Sequence, residues 1–180
     1  DELIALRDPA LKRVQYKERI LGVPYMMGCY GLYVNQDVLL NELELESEIL
    51  DNVLIDYKTV NSIARKSTYT KESGKQNTDY YGFCTYTTSD SKPLLSMIYQ
   101  EDGKIRGTDP YALLRGWLED EQDIVPPNIK TSPYSSAFKL FALDRRAAMM
   151  LGSSRVLYDV RKLQASGRGV EYKVYPLPVD

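Results

Sequence analysis

The chain has 180 residues and a formal net charge of −2. That is long enough for one domain with its own core, and it lacks the basic excess that a nucleic-acid or anionic-lipid surface requires. With no histidine and two cysteines, the Ser-His and Cys-His ways of activating a nucleophile are excluded, and a zinc site is disfavoured. No stretch approaches the ~20 apolar residues of a membrane-spanning helix.

In chain order, residues 3–19 read as a helix that breaks before Gly22-Val-Pro24. Pro24 has no N–H and biases Val23 toward extended geometry, so a strand is predicted over Tyr25–Val34. Gly28 and Gly31 in that strand permit close backbone approach. Asn35-Gln-Asp37 closes the strand and can cap a helix beginning near Val38. An acidic surface segment, Asn41–Asp51, follows. Tyr57, Val60, Ile63 and Ala64 have the 3–4 spacing of an amphipathic helix over 56–66.

A polar loop, Lys71–Asp79, leads to a strand over Tyr80–Tyr86, a loop over Thr87–Pro93 and a helix over Leu94–Gln100. Tyr111–Glu119 reads as a helix with Trp117 on its apolar face beside Leu113 and Leu114, which makes it a core residue. Pro126-Pro127 ends the next connection. Ser135–Ala148 reads as a long helix running into a short buried strand, Met149–Leu151. A helix over Tyr158–Gln164 and a last strand over Val170–Pro178 complete the alternation. Short strands alternating with helices predict an α/β domain with a central sheet covered on both faces.

Cys29 and Cys84 fall in apolar runs and read as buried thiols; a disulfide would need a Cα separation that sequence does not supply. Fifteen tyrosines stand against three phenylalanines and one tryptophan. A tyrosine offers a flat apolar face with a hydroxyl at its rim, which suits a carbohydrate, although it also serves as a half-buried strand residue. Glu119, Asp120, Glu121 and Asp123 lack the alternating oxygens and turn glycine of a calcium loop and read as a solvated face.

Three segments in order carry a resemblance. Gly22-Val-Pro-Tyr-Met-Met-Gly-Cys-Tyr-Gly-Leu-Tyr-Val-Asn-Gln-Asp37 comes first, then Ala147-Ala-Met-Met-Leu-Gly-Ser-Ser-Arg155, then Tyr172-Lys-Val-Tyr-Pro-Leu-Pro178. Together they resemble the extracellular solute-binding proteins of ABC importers, of the maltose-binding-protein type. There the first segment enters the second lobe across a hinge and the last leaves it. The resemblance implies a three-layer type II periplasmic-binding lobe with a mixed sheet, residues 1–180 being one lobe of a longer protein. Residues 1–20 would be a helical remnant, and 21–28 and 174–180 the hinge crossings, lying side by side.

The resemblance further implies capture of an extracellular carbohydrate between two lobes and delivery to a membrane permease. No cofactor, metal, nucleic acid or direct membrane insertion is implied, and the location is extracellular, lipoprotein-anchored, or periplasmic. Ligands of α/β sheets gather at the carboxyl ends of strands, so the expected ligand residues are Tyr25, Tyr30, Tyr86, Thr88, Asp90, Ser153 and Arg155. Family members place Gly-Ser-Trp or Gly-Pro-Trp where this chain has Ser153, Ser154 and Arg155. A guanidinium there suggests an acidic ligand; Arg155 as a solvated start to the next helix is the alternative. Two rival functions stay open. One is a glycan-active enzyme domain using carboxylates such as Asp90 and Glu101, held about 5–9.5 Å apart. The other is a non-catalytic α/β interaction module.

Overall fold

The segment Tyr30–Asn35 alternates its side chains between two buried faces, and this period-2 pattern organises the molecule. The computed structural model describes residues 15–17, 19–21, 28–42, 56–68, 80–88, 115–117, 119 and 124–178. The elements in chain order are β1 (Gln15–Tyr16), β2 (Arg19–Ile20), β3 (Tyr30–Asn35), α1 (Asp37–Glu42), α2 (Tyr57–Lys66) and β4 (Tyr81–Cys84). After a single 3₁₀ turn at Ile129–Thr131 come α3 (Tyr134–Phe138), widened and continued over Lys139–Leu143, then β5 (Ala147–Ser153), α4 (Ser154–Ala165) and β6 (Tyr172–Tyr175).

The main sheet has the order β4-β5-β3-β6. β4 runs parallel to β5, while β3 is antiparallel to both β5 and β6, so the sheet is mixed. Its register puts Phe83, Met149 and Val34 in one row and Cys84, Met150 and Tyr33 in the next. The first row faces a core that includes Val38 and Leu39 of α1 and Val60, Ile63 and Ala64 of α2. The second faces Ala137, Phe141, Val156 and Val160, from α3, its continuation and α4. This is a three-layer α/β/α arrangement, as the strand–helix alternation predicts. Met149, Met150 and Leu151 are fully buried, each contributing about 1.5–3 kcal/mol from apolar burial.

Local chemistry explains the helix starts. The carboxylate of Asp56 accepts the Thr59 N–H at 2.6 Å, an N-cap for α2. Asn35, fully buried at the end of β3, accepts the Val38 N–H at 3.2 Å and donates its amide to the Phe141 carbonyl at 3.4 Å. It thereby caps α1 and ties β3 to the helical layer beyond. α2 packs very close to the edge strand: a Cβ on Gly82 would clash with the Ala64 carbonyl oxygen. Thr68 stitches the same junction, accepting the Gly82 N–H and donating to Ala64. Trp117 is 2% exposed, packs on Phe83 with centroids 5.0 Å apart, and donates its indole N–H to Asn61 at 2.7 Å. It is a core residue, as its spacing predicts.

Several boundaries differ from the sequence expectations. Residues 15–16 and 19–20, expected within the helix over 3–19 and the helical remnant 1–20, are instead the small antiparallel pair β1 and β2, with Lys17 turning at φ 47°, and residues 1–14 and 18 lie outside the described residues. The first strand is regular from Tyr30; Gly28 and Cys29 precede it without regular structure, and residues 22–27 lie outside the described residues. The helix expected over Ser135–Ala148 ends at Leu143, where Asp144 N bonds Lys139 O across a widened turn and Arg145 takes φ 53°. Ala147 and Ala148 are strand residues despite their helix propensity, because β5 is the central strand between β4 and β3 and buries both. α4 begins at Ser154 rather than Tyr158. Cys29 is exposed, not buried, and both cysteines are free.

Candidate functional site

β4 and β5, being parallel, end on the same side of the sheet, and antiparallel β3 begins there. The geometry brings together Tyr30 at the start of β3, Ser153 at the end of β5 and Tyr86 just beyond β4. Tyr30 pairs with Ser153 in the β3–β5 register. The Tyr86 hydroxyl accepts the Ser153 N–H at 3.1 Å. From inside the sheet, Tyr33 donates its hydroxyl to the Ser153 carbonyl at 2.9 Å. The Ser153 peptide is thus gripped on both sides, by tyrosines from two different strand regions.

Ser153 is also the N-cap residue of α4, yet its side chain makes no capping bond. The Ser154 N–H instead donates to the Cys29 carbonyl at 2.8 Å, drawing the residues before β3 against the start of α4. A Cβ on Gly28 would meet Ser154 Oγ at 3.3 Å, so the approach is close. On the β4 side, the Ser132 carbonyl accepts the N–H groups of Thr87 and Thr88 at 2.9 and 3.3 Å, and Thr87 Oγ1 donates to Ile129 O at 2.7 Å. The loop after β4 is pinned to the turn before α3.

Each expected ligand residue can be placed. Tyr30 is half-buried and Thr88 is exposed at a bend. Ser153 is half-buried at the β5–α4 corner and Arg155 lies exposed in the first turn of α4. Tyr86 is 3% exposed, with its ring edge-on to Tyr134 at 5.3 Å, so it offers no open stacking face and acts through its hydroxyl. Tyr25 and Asp90 lie outside the described residues. Tyr33, Tyr134 and Asp159 were not singled out from the sequence. Asp159 carried a legible signal, an acid four residues after Arg155 on one helix.

The electrostatics follow from burial. Desolvation pushes the Tyr33 hydroxyl up to about 12, the nearby Cys29 thiol adds to the rise, and a bond from the Leu157 N–H opposes it. Burial, then the bond it donates to Asp159, pushes the Tyr134 hydroxyl up as well. Burial also raises the Cys84 thiol. Such groups stay neutral hydrogen-bonding partners across the physiological range. Among the described residues, no group of three or more His, Cys, Asp or Glu could hold a metal ion, and no helix is long and apolar enough to cross a membrane.

No protein-family model matches the sequence, and no curated protein matches it. Solved structures do. M. tuberculosis UspC superposes with a TM-score of 0.69 at 16% identity, over 96% of this chain and 47% of that one. An ABC-transporter solute-binding protein from Agrobacterium vitis with bound D-mannitol gives 0.64 at 12% identity, over 96% and 42%. Maltose-bound T. maritima MalE3 gives 0.59 at 19% identity, over 95% and 44%. The fold is that of the ABC-transporter solute-binding proteins. This solute-binding fold is the type II α/β architecture expected from the ordered motifs. The chain spans less than half the length of each of these structures.

Proposed function

We propose that this chain is the second lobe of an extracellular solute-binding protein that captures a carbohydrate and delivers it to an ABC permease. The observation that carries the reading is the corner where β5 passes into α4. The Tyr86 hydroxyl, the residues Ser153 and Ser154 and the first turn of a helix come together there, at the carboxyl ends of two parallel strands. Such corners are where ligands of α/β sheets bind. Tyr30 and Thr88 add flanking polar surface, and Tyr25 and Asp90 belong to the same proposed set by their sequence positions. Neighbouring folds crystallised with maltose and with D-mannitol support a polyhydroxylated solute.

The mechanism would be capture, not reaction. A second lobe closes over this face about the hinge crossings at 21–28 and 174–180, and the closed form is what the permease recognises. Part of the binding free energy drives closure, so affinity and conformation are coupled. The protein acts outside the cell membrane or in a periplasm, and a lipid anchor on the full-length chain would keep it near the permease.

The test is thermal denaturation of the full-length protein with maltose, mannobiose and D-mannitol. A true ligand raises the melting temperature in step with RT ln(1 + [L]/Kd), and the isolated chain shows no such rise at the same concentrations. Hydrolysis of a glycan, with no saturable stabilisation, would overturn the reading in favour of the carboxylate enzyme.

A further inference from the structure

Arg155 is held by two neighbours of its own chain. Its guanidinium lies 4.3 Å over the ring of Tyr134, and its Nε is 3.4 Å from Asp159 Oδ2. That same carboxylate oxygen accepts the Tyr134 hydroxyl at 2.6 Å. Asp159 is the more enclosed partner, 25% exposed against 68% for Arg155. Tyr134 in turn carries Tyr86 on its edge and Phe138 stacked on its face. The cation of the first α4 turn therefore has an aromatic ring beneath it and a carboxylate one helical turn behind it. The other cations of this helix, Arg161 and Lys162, are exposed. They lie roughly 9–10 Å further along the axis, about a Debye length away.

We infer that Asp159 is the specificity-determining residue of this corner, occupying Arg155 and cancelling its charge so that uncharged sugars are taken and sugar acids refused. The inference rests on the proposed carbohydrate-binding function. The physical argument is one of competition. A ligand carboxylate approaching Arg155 would meet Asp159 on the same guanidinium, and juxtaposed like charges are costly once water is excluded. A sugar hydroxyl meets no such penalty and can still accept a guanidinium N–H left over from the pair, since Arg carries five donors. Arg155 alone would favour an acidic ligand; with Asp159 at its side it becomes a neutral, planar hydrogen-bonding surface.

The variant Asp159→Asn isolates the charge. An amide oxygen can still accept the Tyr134 hydroxyl, so the packing of Tyr134 is kept while the negative charge goes. Calorimetric titration of the full-length protein would use two matched pairs, maltose with maltobionate and glucose with glucuronate. The expected wild-type result is binding of a neutral sugar well above its acid. Asp159→Asn should then shift the acid-to-neutral affinity ratio by about tenfold or more toward the acid. That gain should fade at high salt and vanish when Arg155→Gln is added. A merely structural role for Asp159 would weaken both members of a pair equally. An unchanged ratio, with the neutral sugar still bound, overturns the inference and leaves the proposed function standing. Binding of neither pair by wild type or variant overturns both.

Discussion

Tyr33 and Ser153 stand 120 residues apart in sequence and share a 2.9 Å hydrogen bond, phenolic O–H to carbonyl. Tyr86, on the other side, takes the Ser153 N–H. The corner at which a ligand is proposed to bind is thus held by one side chain of the sheet and one from just beyond β4. A rigid corner loses little freedom on binding, which is how preorganisation raises affinity.

Removing either hydroxyl should loosen this corner. Tyr86→Phe leaves the Ser153 N–H without its partner and should cost about 1–3 kcal/mol, whereas Tyr33→Phe should cost about 0.5–1.5 kcal/mol. Urea denaturation measures both, and amide hydrogen exchange should speed up at Ser153 and Leu157. Unchanged exchange at Ser153 in both variants would show that the turn is held by other contacts.

Alkaline pH should unfold the domain through buried tyrosine. Tyr33 sits at about 12 in the folded chain against an ordinary value of 10.0. A raised value means that the unfolded chain gives up this proton first. The contribution to stability is therefore complete below pH 10 and lost as the pH climbs from 10 to about 12. Ultraviolet titration of phenolate absorbance should show a late fraction ionising together with the loss of circular dichroism. Tyr33→Phe should shift that transition upward in pH.

Gly82→Ala should be strongly destabilising although it adds only a methyl group. The new Cβ would meet backbone atoms of Ala64, which no rotamer change can move aside. Overpacking of this kind costs typically 1–3 kcal/mol. A denaturation midpoint equal to wild type would mean that α2 can slide on the sheet edge.

Trp117→Ala should cost about 3–5 kcal/mol, since it opens a cavity beside Phe83 and strands Asn61. As the one tryptophan of the chain, its fluorescence also reports the state of this core directly. Its emission should be blue-shifted when folded and move red in a single cooperative step on unfolding.

Thiol chemistry should separate the two cysteines. Cys29 is exposed, whereas Cys84 is buried with its thiol pushed toward the neutral form. A thiol-specific disulfide reagent should titrate Cys29 in the native chain and Cys84 only in denaturant. Fast reaction of both in native buffer would place Cys84 at the surface.

Local spacings along the chain are enough for the layer order, the amphipathic helix Tyr57–Lys66, the Asn35 cap and the core position of Trp117. Each of these is written in spacings of a few residues, where one local interaction decides. The order of three weak motifs likewise pointed to the solute-binding fold, because β3, β5 and β6 are the adjacent strands of one sheet. The rest depends on contacts between segments far apart in the chain. Ala147 and Ala148 read as helix and became strand because the centre of the sheet buries them, and burial outweighs a propensity difference of a few tenths of a kcal/mol. Tyr86, expected among the ligand residues, is buried, because Tyr134 packs against it from a helix 48 residues further on. The pairing of Tyr33 with Ser153 has no signature in sequence at all. It exists because antiparallel β3 and β5 carry Tyr33 beneath the corner where α4 begins, and only the register of the folded sheet sets that distance.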